Sequence, residues 1–409
     1  MEYIAVLDLG TSKMLAMVAS KSDRQTILAT AQIDSGDSIR RGLIYKPTEA
    51  VSKIAELIRC LNQKLAQANL PALKQIYLGV GGQGLHTKTH SVEKNINGNL
   101  VDNKMLDLLC DECQADGDGS IELIEKIFPE YFLDGRTEPQ PQGARCSTLE
   151  ARFQLIWGHL SNFKAEVEKA LAKENVELVD VLVAPVATAE QVLTQREKER
   201  GCALVELGAG ITYLSIYKEG LLRHLTAIPL GGNIITKDVC SLDKTEAEAE
   251  SLKINTGCAW ANDETNELNT IIEARADEIV LNILRQIEIS GYGPTLNAGF
   301  ILTGGTSRLT DLDKLLEQHT DKPVRRVEEN PEQSCARGLL QLGHENCASA
   351  LPKPEQSTTS TSDKLLFDDE IAVNPQPKQP KSDKKKDPSG SLLVKLKKGA
   401  EKAAKGLFD

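Results

Sequence analysis

Two short segments about 200 residues apart constrain this chain more than anything else in it. Residues 5–12 read AVLDLGTS and residues 204–217 read LVELGAGITYLSIY. Each sets an acid in an apolar run, then glycine and small residues, between two strand-like stretches. Such a repeat predicts a duplicated fold in which each half supplies one glycine turn. A turn of this kind aims several backbone N–H groups at one point, which suits a phosphate. Small hydroxyl residues add donors, and a nearby carboxylate can hold hydrated magnesium that bridges phosphates. One such turn is more often structural than functional. Two of them facing each other across a cleft would grip a triphosphate from both sides.

With 409 residues the chain should hold two or three packed units. Strands are expected at 3–9 and 14–19, joined at Gly10. A helix is expected over about 48–68, where Val51, Ile54, Ile58, Leu61 and Leu65 share a face behind Pro47. IYLGVGG (76–82) reads as a buried strand ending in glycines. Residues 83–165 change texture to short alternating stretches and turn-rich inserts, as in a small inserted α+β unit. From about 161 a helix (NFKAEVEKALAKEN), a strand (VELVDVLVAP), helical regions at 233–255 and 268–290, and the strand GFILTGG (299–305) follow. Residues 345–390, rich in Pro, Ser, Thr, Lys and Asp, read as a disordered linker.

Three motifs are weaker than they look. GVGGQG (79–84) fits G-x-G-x-x-G, but LHTKTHSVEK after it alternates like a strand, so the glycines read as a bend between strands and not as a dinucleotide turn. QADGDGSIELIE (114–125) places Asp116, Asp118, Gly119 and Glu125 at calcium-loop positions, yet begins on Gln114 and meets Pro129 where a helix should run. Cys110 and Cys113 form a lone C-x-x-C. Nine scattered cysteines, an odd number, fit reduced thiols better than disulfides or zinc.

The net charge of −11 argues against free nucleic acid as a partner, but the far end reverses it: residues 381–409 hold nine lysines against four acids. In SLLVKLKKGAEKAAKGLFD, Leu393, Leu396, Ala400, Ala403 and Leu407 recur at steps of three and four, and Lys395, Lys398, Lys402 and Lys405 follow on the other side. With Leu392 and Phe408 this predicts an amphipathic helix over 391–409 lying on an anionic membrane surface. Gly399 and Gly406 weaken it, so it should fold only there. MEYIAVLDLG predicts no secretory or transit signal, and no run of about 18 apolar residues predicts a bilayer span.

The two turns followed by ILTGGTSRL (301–309), a strand ending in paired glycines, resemble the actin-like ATPase superfamily. Within it the chain is similar to the bacterial cell-division family FtsA over nearly its whole length. LDLGTSK (7–13), IYLGVGG (76–82), IFPEYFLDG (127–135), LEARF (149–153), VDVLVAP (179–185), IPLGGNIITKDV (228–239), AESLK (249–253), IIEARADEI (271–279) and ILTGG (301–305) carry that likeness.

The resemblance implies an actin-like duplicated α/β fold with an inserted α+β subdomain at 83–165. The first half would be 1–82, completed by about 329–344, and the second 166–328, with a smaller subdomain at 231–298. ATP and Mg²⁺ are the implied cofactors. Asp8, Gly10, Thr11, Ser12 and Lys13 match the first phosphate loop, and Glu206, Gly208, Ala209, Gly210 and Thr212 the second. Gly304 and Gly305, with Thr306 after them, match the adenosine loop; Lys253, Glu273 and Asp277 would contact purine or ribose, and Asp8 and Glu206 magnesium. Glu206 replaces the family's usual aspartate, Tyr213 stands near where related ATPases often have a second one, and Thr306 stands where glycine is common. Those changes imply slow or absent hydrolysis, because positioning water demands tight geometry. The implied partners are the FtsZ tail, an anionic membrane on its cytoplasmic side, and further copies of the chain in filaments. A pilus-assembly ATP-binding scaffold and a small-molecule kinase of the same superfamily are the alternatives.

Overall fold

The computed structural model describes residues 1–113, 121–261 and 265–349. The chain opens with an antiparallel meander, β1 (Tyr3–Leu9), β2 (Lys13–Ser20) and β3 (Ile27–Asp34), buried enough on both faces that β1 and β2 read as near-continuous apolar runs. A ribbon of β4 (Ile39–Arg40) and β5 (Leu43–Ile44) leads to helix α1 (Pro47–Gln67), which buries Val51, Ile54, Ile58, Leu61 and Leu65. β6 (Gln75–Val80) then runs parallel to β1.

Past a glycine bend the chain forms β7 (His86–Asn95), α2 (Asn103–Glu112), β8 (Glu122–Leu133), β9 (Arg136–Thr137) and β10 (Thr148–Gly158). It returns through α3 (Ser161–Ala172), β11 (Glu177–Val183), α4 (Ala184–Val192) and α5 (Gln195–Arg200). A second meander follows: β12 (Cys202–Leu207), β13 (Thr212–Lys218) and β14 (Leu221–Ile228). Helices α6 (Gly232–Val239), α7 (Glu246–Asn255) and α8 (Glu267–Ser290) precede β15 (Gly299–Thr303), α9 (Leu312–Gln318), β16 (Val324–Arg326) and α10 (Ser334–Leu342).

The duplication is visible strand by strand. The first sheet runs β11-β6-β1-β2-β3, and the second begins β16-β15-β12-β13-β14 with the same directions. The second sheet then continues through the inserted strands, β7-β10-β8-β9, joined to β14 where Thr226 faces His86. That junction leaves no mark in the sequence, which showed the inserted unit only as a change of texture.

The stretch read as one helical region, 233–255, is two helices. A left-handed Asp243 (φ 55°) ends a short 3-10 turn, and α7 restarts with a capping box in which Thr245 and Glu248 serve each other's backbone. The T-x-x-E spacing was there to be read. From Glu122 the stretch read as a calcium-like loop, 114–125, runs as strand β8 and not into the helix of a calcium hand; residues 114–120 lie outside the described residues. All nine cysteines are unpaired thiols. Among the described residues no helix is long and apolar enough to cross a membrane, and no cluster of three metal-ligand side chains exists.

Helix α10 closes the first half. It packs on α4 so tightly at Gly338 that a Cβ there would lie 1.8 Å from the Ala187 carbonyl oxygen. Lys53 and Lys64 on α1 donate to the Asp34 and Thr30 carbonyls of β3, covering the outer edge of the first sheet. Residues 391–409, with Leu392, Leu393, Lys395, Leu396, Lys398, Lys402, Lys405, Leu407 and Phe408, lie outside the described residues.

Candidate nucleotide site

The two turns have one geometry. In each, four residues join the last ladder pair, Leu9 with Met14 and Leu207 with Thr212. In each, the first glycine N–H donates to the carbonyl of the fourth residue, Gly10 to Lys13 at 3.0 Å and Gly208 to Ile211 at 2.9 Å. A Cβ would meet that same carbonyl oxygen, at 2.9 Å in the first turn and 2.8 Å in the second, so both positions require glycine for one reason. The turns touch: a Cβ on Gly210 would lie 2.7 Å from Thr11 Cγ2.

Between them lies a cavity lined by Asp8, Gly10, Thr11, Ser12 and Lys13 from the first turn and Glu206, Gly208 and Ala209 from the second. Gly304 and Gly305 close a third side. Gly304 adopts φ +88°, a Cβ there would lie 2.4 Å from the Leu207 carbonyl oxygen, and its N–H donates to the Pro331 oxygen. Helix α6 braces the second turn from below, its N-terminal Gly232 and Asn233 N–H groups donating to the Gly208 and Ala209 carbonyls.

Two partly buried acids, Asp8 and Glu206, face this cavity. Burial raises Asp8 to about 6, against the opposing pull of the Cys335 thiol and the Lys13 ammonium. Burial, and secondarily the charge on Asp8, raises Glu206 to about 8, partly offset by Thr188. One oxygen of Glu206, Oε2, has no hydrogen-bond partner among the described residues. A mutually repelling carboxyl pair with an orphan oxygen, beside backbone donors and a lysine, fits a hydrated divalent cation bridging to phosphate. Two carboxylates suffice, since magnesium takes its remaining ligands from water and phosphate.

Several expected contacts are engaged elsewhere. The Thr212 hydroxyl, wholly buried, donates to Leu230 O, because Thr212 points to the face of β13 opposite the cavity. Thr306 donates to Gly208 O, bracing the turn. Lys253 lies behind that brace, its ammonium on Gly232 O, Thr236 Oγ1 and Glu250 Oε2. Asp277 is held by His319 at 2.6 Å, and Glu273 neighbours Cys258; neither lines the cavity. Conversely, Gly42, Gly81, Tyr213 and Cys335 do line it. Aligning the two halves would have found Gly81, since VGG at 80–82 follows β6 as TGG at 303–305 follows its counterpart β15.

The profile of the family described as "Cell division protein FtsA" matches residues 203–349. The "Cell division protein FtsA" of Porphyromonas gingivalis is 30% identical over 351 residues, spanning 78% of this chain and 72% of that protein. That of Neisseria meningitidis serogroup B is 29% identical over 406 residues, spanning 86% and 92%. Among solved structures, one of a PilM-PilN type IV pilus biogenesis complex superposes with a TM-score of 0.61 at 17% identity, covering 84% of this chain and 98% of that one. The ethanolamine utilization protein EutJ from Carboxydothermus hydrogenoformans does so with a TM-score of 0.52 at 16% identity, covering 83% and 90%. Those two likenesses show the fold. With the actin-like duplication, the paired turns and relatives aligned over most of its length, the chain belongs to the FtsA family of cell-division proteins.

Proposed function

We propose that this protein binds Mg²⁺-ATP between its two halves, hydrolyses it slowly or not at all, and serves in bacterial cell division as an adaptor between FtsZ and the membrane. The observation that carries the nucleotide reading is the pair of identical turns closing on two partly buried acids. Backbone N–H groups of both turns, with Thr11, Ser12 and Lys13, would hold the phosphates, and Asp8 and Glu206 the magnesium. Bound magnesium would supply charge neutralisation between the phosphate oxygens.

Slow turnover is supported by what stands beside those acids. Tyr213 occupies the ladder position opposite Glu206. Burial, above all, pushes its phenol far above the ordinary tyrosine range, so it keeps its proton and cannot serve as a base. The adaptor role follows from family membership together with the basic amphipathic segment 391–409. The FtsZ tail would bind on the surface of residues 231–298, the membrane segment would lie on the anionic cytoplasmic face, and copies of the body would associate into filaments.

The test is reconstitution. Full-length protein with Mg²⁺-ATP should recruit an FtsZ tail peptide to anionic liposomes, and removal of residues 391–409 should abolish both recruitment and co-sedimentation. Liposome binding that survives the deletion would refute the anchor. Phosphate release at about 1–100 per second, the range of working kinases, would refute the holding site.

A further inference from the structure

We propose that Tyr213 is a latch across the cleft, that the glycine bend of residues 79–84 is its receptor, and that through it the second phosphate turn positions the strand leading into the inserted unit. Tyr213 belongs to the second half, on β13, yet its hydroxyl accepts the Gly82 N–H of the first half at 2.5 Å. The receptor has no room for side chains. A Cβ on Gly81 would lie 2.4 Å from the Tyr213 hydroxyl oxygen, and one on Gly42 3.1 Å from that oxygen and 2.6 Å from Gly82 Cα. Gly42 (φ +70°) and Gly82 (φ +103°) also need backbone angles that favour glycine.

The duplication sharpens the point. In the first hairpin the ladder partner of Asp8 is Leu15, which stays inside its own core at 1% exposure. In the second, the partner of Glu206 is Tyr213, which leaves its half and enters the other. Gly81 and Gly82 stand where Gly304 and Gly305 stand in the second half, so a loop that lines the cavity in one half receives a side chain in the other.

The mechanical path is short. Glu206 and Tyr213 are directly opposed in the ladder, so their side chains share a face about 5 Å apart at Cβ. Gly82 is followed by Leu85, whose N–H donates back to Gly82 O, and then by His86, the first residue of β7. His86 Nδ1 is 2.7 Å from Gly84 O, and a Cβ on Gly84 would meet His159 of the returning chain. Both connections of the inserted unit therefore converge on the bend that Tyr213 holds. The trigger rests on the nucleotide reading above; the latch itself does not.

Hydrogen exchange on full-length protein tests it, comparing wild type with Tyr213→Phe, with and without Mg²⁺-ATP. Without nucleotide, residues 81–86 should exchange about tenfold faster in the variant, since a lost hydrogen bond of about 1.4 kcal/mol is a tenfold change. Mg²⁺-ATP should slow exchange at 81–86 and along β7 in wild type, with that slowing lost in Tyr213→Phe. Equal exchange of the two proteins without nucleotide would overturn the latch. Equal slowing by Mg²⁺-ATP in both would overturn its coupling role. Calorimetry on wild type separates the readings: no heat of ATP binding sinks the nucleotide site, while the nucleotide-free comparison still decides the latch. A second arm uses Gly81→Ala, which should lower the urea midpoint in wild type and cost less in a Tyr213→Ala background; additive costs would count against the contact.

Discussion

At the scale of single residues, the site is an electrostatic problem that its ligand would solve. Burial raises both Asp8 and Glu206, the charge of Asp8 adds to the rise at Glu206, and Glu206, the higher of the two, must lose its proton before it can face a cation. Mg²⁺-dependent ATP binding should therefore tighten as pH rises from about 6 to about 9, by at least tenfold for one proton released over more than one pH unit. Calorimetry across that range checks it, and Glu206→Gln should flatten the dependence on both pH and magnesium. The residues legible from sequence are those whose position forces their identity. Gly10, Gly208 and Gly304 sit where a Cβ would strike backbone, and no other residue type fits. Thr212, Thr306, Glu273 and Asp277 were harder because a motif fixes a residue's place along the chain but not the face it presents. Tyr213 could be flagged as a departure, but its partner lies 131 residues away and leaves no local trace.

Among the elements, α10 depends on one glycine. Gly338→Ala would drive a methyl into the Ala187 carbonyl of α4, which cannot move aside as a flexible side chain could. The expected cost is about 1–3 kcal/mol, at the upper end, read as a lower urea midpoint with unchanged slope. Strand β8 carries a second liability. Burial, and then the charge of Asp180 on β11, raises Glu125 to about 7. A raised carboxyl stabilises the fold while protonated in it, so its contribution is full below its unfolded value of 4.5 and is lost as pH rises through 7. Glu125→Gln should match wild type near pH 5 and exceed it by about 1–3 kcal/mol at pH 8. Helices and strands with strong periodicity, such as α1 and β7, were legible. The break at Asp243 was passed over although the Thr245-x-x-Glu248 capping box just after it marks a helix start, because the left-handed residue itself carries no sequence signal.

For the whole molecule, the duplication was the most legible property, since a hairpin of fixed loop length imposes the same residue pattern wherever it recurs. The continuation of the second sheet through β7, β10, β8 and β9 was the least legible, because strand pairing across distant residues is written in no single segment. Ligand linkage should appear at this scale. Mg²⁺-ATP at a hundred times its Kd adds about 2.7 kcal/mol to the folded state and should raise Tm by a few degrees in scanning calorimetry. Deleting residues 391–409 should leave that shift intact while abolishing membrane binding, and the membrane binding of the intact chain should weaken as salt is raised. The glycine cradle also carries a historical consequence. While Tyr213 stands, an alanine at Gly81 collides with it and one at Gly42 crowds it; once Tyr213 is lost, the space it filled becomes a void beside Asp8 and Glu206. Neither side can change first without loss, so a lineage that carries this pairing holds it as a ratchet, and releasing it would require several substitutions at once.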